Sequence, residues 1–185
     1  MHDPTVLPAG LPAPVDDGAA DHLPGRRLPS IGLPSTAGGN MNPGDLTGGH
    51  VLFVYPKMGS PEEDPPEGWD DIPGARGCTP QACSFRDRYS GFAVLGYGVA
   101  GLSTQASAAQ AEAKDRLHLP YELLSDSSLR LADELGLPTF EAFGERLYKR
   151  LTIVARDGVI VKVFYPVFPP DENAGAVLDW ISAHQ

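Results

Sequence analysis

Gly77-Cys78-Thr79-Pro80-Gln81-Ala82-Cys83-Ser84-Phe85-Arg86-Asp87 holds the only two cysteines of the chain, five positions apart. The segment predicts a helix start: Thr79 is a good N-cap, and Pro80 suits a first turn, where a missing N–H costs nothing. Cys78 then lies at the open, positive end of the helix, where a thiol gives up its proton most easily. Cys83 falls about one turn further in. Five helical steps set the two α carbons at least ~7.5 Å apart along the axis, whereas a disulfide needs them within about 7 Å. The pair cannot bridge while the helix is intact, so the spacing predicts a wound dithiol form and a locally unwound disulfide form. The competing reading makes Cys83 a small buried apolar residue on the helix face. A metal centre is not expected, because a C-x4-C pair with a distant His50 or His118 lacks both the usual spacing and a fourth ligand.

Upstream of this segment, Val51-Leu52-Phe53-Val54-Tyr55 reads as a central strand covered on both faces, ended by Pro56. Residues 58–71 form an acidic, Pro-rich loop carrying Glu62, Glu63, Asp64, Glu67, Asp70 and Asp71, with Trp69 as an anchor against the body. Residues 1–25 are rich in Pro, Ala, Gly and Asp and read as a disordered or extended arm. Residues 26–185 form the domain, beginning with a weak edge hairpin around Leu28, Ile31 and Leu33.

Downstream, the cysteine helix is expected to run to Tyr89, followed by a second central strand from Phe92 to Tyr97, reaching Leu102 at most. A helix over Thr104–Leu117, capped by Ser103 or Thr104, sets Ala106, Ala109, Ala113 and Leu117 on one face, and His118 at its end. A short helix is expected over Ser127–Leu135. Leu151–Ala155 and Val159–Phe164 form a hairpin about the Arg156-Asp157-Gly158 turn. Asp171 caps a last helix that buries Ala174, Val177, Leu178 and Ile181. The order strand, helix, strand, helix, hairpin, helix is that of an α/β protein with a mixed central sheet flanked by helices, of thioredoxin-like fold.

With 185 residues the chain is one domain with room for a full core. Its net charge of −10 argues against nucleic acid and anionic membranes as partners. No apolar run approaches a membrane span, and the first residues lack the pattern of a secretory signal. Two cysteines in such a chain are expected to be reduced and reactive in the cytoplasm rather than structural.

The cysteine segment resembles the active-site segment of peroxiredoxins, specifically the PrxQ or bacterioferritin comigratory protein branch. Tyr55-Pro56-Lys57 resembles the strand end and proline before that site, and Arg150-Leu151-Thr152-Ile153-Val154 with Asp157-Gly158 resembles the strand carrying the family's arginine. Phe164-Tyr165-Pro166-Val167 is similar to the family's C-terminal run. The resemblance implies a thiol-dependent peroxidase, with no cofactor, that reduces hydrogen peroxide or alkyl hydroperoxides and is recycled by thioredoxin or a similar dithiol protein. Cys78 would be the peroxidatic cysteine and Cys83 the resolving one, joined in an intrachain disulfide. Arg150 would hold the thiolate and orient the peroxide, Pro56 would shield it, and Gly77 and Thr79 would border the bound substrate. The family includes dimers, and a monomer or weak homodimer is expected.

Two positions depart from the family pattern. Ala75 stands three residues before Cys78, where the family carries threonine, leaving Ser60 and Thr79 as candidate replacements for its hydroxyl. The acidic 58–71 loop is an insertion between Pro56 and Cys78, with Arg76 placed to offset its charge. Two other functions stay open at this point: a thioredoxin-like protein disulfide oxidoreductase, although C-x-x-C spacing is absent, and a non-enzymatic redox sensor or interaction protein using the acidic loop.

Overall fold

The computed structural model describes Asp3 and residues 5–185. Two short strands, β1 (Leu33–Pro34) and β2 (Asn40–Met41), precede β3 (Gly49–Val54). The chain continues through α1 (Cys78–Asp87), α2 (Tyr89–Val94), β4 (Tyr97–Ser103), α3 (Ser107–Leu117), β5 (Glu122–Ser125) and α4 (Arg130–Leu135). It ends with β6 (Thr139–Ala142), β7 (Glu145–Tyr148), β8 (Leu151–Arg156), β9 (Val159–Phe164) and α5 (Asn173–Ala183). The main sheet has the order β5-β4-β3-β8-β9. β3, β4 and β5 are parallel, and β8 runs antiparallel to both β3 and β9. This is the mixed sheet with an antiparallel corner that the element order predicts.

β3 is central because it is apolar on both faces. Leu52 and Val54 enter one core with Leu23, Leu28, Ile31 and Leu131. Val51, Phe53 and Tyr55 enter the other, with Phe85 of α1 and Val177 of α5. Burying a side chain the size of Phe53 stabilises the fold by about 1.5–3 kcal/mol. The β8–β9 hairpin turns at Asp157 and Gly158, both at positive φ (49° and 74°), the backbone a tight two-residue connection requires.

Several sequence expectations are corrected. Phe92 lies in α2, not in a strand, and the second central strand starts at Tyr97. The stretch Phe92–Leu95 is apolar for a different reason: Phe92 is buried against Phe85, while Val94 points to solvent. The true strand was obscured by Gly98 and Gly101, since glycine weakens a strand pattern. At Gly101 a Cβ would come within 2.7 Å of the Phe53 ring and 2.6 Å of Leu123, so the absent side chain is what lets them pack. α3 begins at Ser107 behind Ala106, which makes no side-chain cap, and Gln110 rather than Ala109 shares its buried face with Ala113 and Leu117. Asp171 lies in a 3-10 turn (Pro170–Glu172) and does not cap α5. β5 and the β6–β7 hairpin were not anticipated.

Residues 5–25 contain no helix or strand, yet they are not a loose arm. Ala20 and Leu23 are buried in the first core, and the Gly25 N–H donates to the Ile160 carbonyl at 2.8 Å. Asp17 accepts from Lys149 at 2.6 Å and from Tyr165 at 2.7 Å. The packed body therefore begins well before residue 26.

Candidate active site

α1 starts two residues earlier than Thr79 capping requires. Gly77 is the N-cap, at φ 107°, and Cys78 is the first helical residue. A Cβ at Gly77 would lie 2.4 Å from Pro170 Cγ and 2.8 Å from Leu7 Cδ1, so both backbone angle and space demand glycine there. The Thr79 side chain makes no cap bond; it is buried and borders the same pocket as Gly77 and Cys78. As the first residue of the helix, Cys78 sits among N–H groups that have no intrahelical acceptor.

Cys78 is 3% exposed, and so is Arg150, immediately before β8. The antiparallel register pairs Val54 with Leu151, which brings Arg150 to the same sheet end as Pro56. Arg150 Nη2 donates to Cys78 Sγ at 3.2 Å and to the carbonyls of Gly74, Ala75 and Arg76 at 3.1–3.2 Å. Its Nη1 donates to Gln81 Oε1 at 2.5 Å. Gln81 Nε2 in turn donates to Asn173 Oδ1 at 3.0 Å, which also accepts the Thr152 hydroxyl at 2.7 Å. The relay ties α1, β8 and α5 together. Among the described residues this buried guanidinium has no carboxylate partner, and Cys78 Sγ is the one atom bonded to it that can become an anion.

Ala75 is buried, and its carbonyl accepts from both Arg150 and Cys78 Sγ (3.7 Å), so the backbone at the departing position serves the site although the side chain cannot. Ser60, with Thr79, lines a pocket of about 340 Å³ that opens onto Cys78. Pro56 is buried at the end of β3, and the pocket wall beside it is formed by Lys57 and Met58. The 58–71 loop forms one side of this pocket. Trp69 anchors it as expected, buried with Ala75 and Leu147. Gln105 holds its start, accepting from the Met58 N–H at 2.8 Å and donating to the Met58 carbonyl at 3.1 Å.

Cys83 is half-buried in the second core, and burial pushes its thiol up. Both thiols are free and α1 is fully wound. Its second turn is fastened from outside: Tyr121 donates to the Ala82 carbonyl and Ser84 to the Asp171 carbonyl, each at 2.6 Å. Sequence reasoning missed Gln81, Asn173, Thr152 and Tyr121. Gln81 was detectable, since residues three apart share a helix face and it follows Cys78 at that spacing. Among the described residues no group of three His, Cys, Asp or Glu could hold a metal, and no helix is long and apolar enough to cross a membrane.

The redoxin family model matches residues 23–178. Peroxiredoxin bcp1 of Schizosaccharomyces pombe is 36% identical over 137 residues, 72% of this chain and 63% of that protein. A bcp protein of Coxiella burnetii is 30% identical over 159 residues, 83% of this chain and 95% of its own. The crystal structure of peroxidoxin BcpB from Mycobacterium tuberculosis superposes with a TM-score of 0.72 at 28% identity, covering 89% of this chain and 99% of that one, which shows a thioredoxin-like peroxiredoxin fold. The chain spans between about half and two thirds of the length of the fungal and rice relatives it matches. Because the matched stretch contains the mixed sheet, both cysteines and Arg150, the chain belongs to the redoxin family, and within it to the peroxiredoxins of the PrxQ, or bacterioferritin comigratory protein, type.

Proposed function

We propose that this chain is a thiol-dependent peroxidase reducing hydrogen peroxide or small alkyl hydroperoxides. Cys78 attacks as thiolate on the outer peroxide oxygen. The O–O bond breaks, Cys78 becomes a sulfenic acid, and the departing alkoxide or hydroxide takes a proton to leave as alcohol or water. The Cys83 thiol then displaces water from the sulfenic acid to form the intrachain disulfide, for which α1 must open. A dithiol protein such as thioredoxin restores both thiols and is itself oxidised to a disulfide.

The single observation carrying this reading is the Arg150 Nη2–Cys78 Sγ bond at 3.2 Å at the mouth of α1. A fixed cation and helix N-terminal donors hold the thiolate, and they also face the oxygen on which charge develops. Pro56 screens the site from behind, Gly77 and Thr79 border the substrate, and Ser60 or Thr79 supplies the hydroxyl that Ala75 lacks. A dithiol needing continual re-reduction fits the reducing cytoplasm, and the chain acts as a monomer or weak homodimer.

The test is mass spectrometry after limiting peroxide. A sulfenic acid should be trapped on Cys78 in Cys83→Ser, and wild type should lose both thiols and turn over repeatedly with a dithiol reductant. Sulfenic acid on Cys83 alone would reverse the roles. Reaction without turnover would favour a redox sensor, and persistence of both thiols would end the proposal.

A further inference from the structure

The pocket above Cys78 carries an unbalanced charge that the reaction does not use. Its two cations are already committed: Lys57 binds Glu145 at 2.5 Å and Arg76 binds Asp70 at 3.0 Å, and neither carboxylate lines the pocket. Of the lining carboxylates, Glu112 is held by Arg116 at 2.7 Å. Glu63 and Asp64 remain, exposed on the inserted loop, and they make no ion pair among the described residues. The same pocket is also lined by the apolar side chains of Met58, Pro65, Pro66 and Trp69. A volume of about 340 Å³ far exceeds what hydrogen peroxide fills and falls in the range of small organic ligands.

From this arrangement we infer that the inserted loop selects among hydroperoxides by charge, favouring those with a neutral apolar tail and repelling those whose tail carries a carboxylate. The inference rests on the peroxidase reading and adds a substrate class to it. The apolar wall removes the tail from water, which favours an uncharged organic group. A tail anion in the same space meets two carboxylates that make no ion pair among the described residues, beside cations already paired to other carboxylates. Both are solvent-exposed, so the discrimination weakens as salt screens it.

The probes are cumene hydroperoxide and its para-carboxylate, which differ only in the charge at the far end of the tail. At low ionic strength the wild-type kcat/KM for the neutral compound should exceed that for the carboxylate at least tenfold. The ratio should fall several-fold in 0.5 M salt and in the Glu63→Gln/Asp64→Asn double variant. Near-equal rates in wild type, or a ratio that the double variant leaves unchanged, overturns the inference while the peroxidase reading stands if hydrogen peroxide is still consumed. A protein that consumes none of the three peroxides overturns both.

Discussion

Replacing Tyr121 with Phe should make the Cys78–Cys83 disulfide form faster. The Tyr121 hydroxyl donates to the carbonyl of Ala82, the residue beside Cys83, from a buried position. Its ring meets Phe53 edge-on at 5.5 Å, a contact that phenylalanine keeps. The substitution therefore removes one fastening of α1 and little else. A buried hydrogen bond of this kind contributes about 1–1.5 kcal/mol, or roughly a 5- to 13-fold change in an equilibrium. If the two cysteines can meet only when the helix opens, the open population and the rate of disulfide formation rise by that factor. Rapid mixing with one equivalent of peroxide, acid quenching and alkylation separates sulfenic acid from disulfide by mass. Sulfenic acid formation should keep its wild-type rate in the variant while its conversion to disulfide speeds up. An unchanged or slower conversion would mean that helix opening does not limit resolution, and the two-state account of α1 would be wrong.

Four further outcomes follow from the same geometry. Arg150→Lys keeps a charge but loses the fork that bonds five groups, so the reaction of Cys78 with peroxide should slow by about 100-fold or more in stopped-flow measurements. Burial raises the Cys83 thiol pKa in the wound helix, and opening returns it toward the exposed value of about 8.5. The wound form's advantage is thus complete below that pH and shrinks above it, so disulfide formation should accelerate as the pH rises above about 8.5; a profile that stays flat there would contradict this. Trp69→Ala should cost about 3–5 kcal/mol in urea unfolding, because the ring is the buried anchor of the acidic loop. Leu23→Ala should cost about 2–5 kcal/mol, whereas a peripheral arm would tolerate the change.

What could be read from the sequence was what depends on local chemistry. β3 announced itself through an unbroken apolar run, the β8–β9 hairpin through Asp157-Gly158, and the Trp69 anchor through a lone aromatic in an acidic loop. Where the decisive partner was distant in sequence, the reading failed. β4 looked too glycine-rich because the space left by Gly101 is filled by Phe53 and Leu123, from two other strands. Thr79 looked like the cap because nothing local shows that Pro170 and Leu7 close around Gly77. The N-terminal segment looked unstructured because an irregular backbone has no period, although Leu23 is fully buried. In the site, Arg150 was named only through family resemblance. Of its partners, Gln81 was marked only by its helical spacing from Cys78, and Asn173 carries no signal of its own, since an amide in a helix is ordinarily a surface residue.

The relay behind Cys78 has a direction. Arg150 can only donate, and Asn173 Oδ1 already accepts the Thr152 hydroxyl, so the group between them must accept on one side and donate on the other. Among side chains of that length only an amide does both. Glutamate at position 81 would satisfy the guanidinium too well, drawing it from sulfur into an ion pair, and would set oxygen against oxygen at Asn173. Lysine would set cation against cation. The identity of residue 81 is thus dictated by the polarity of its neighbours, and it keeps the positive charge of Arg150 available for the sulfur.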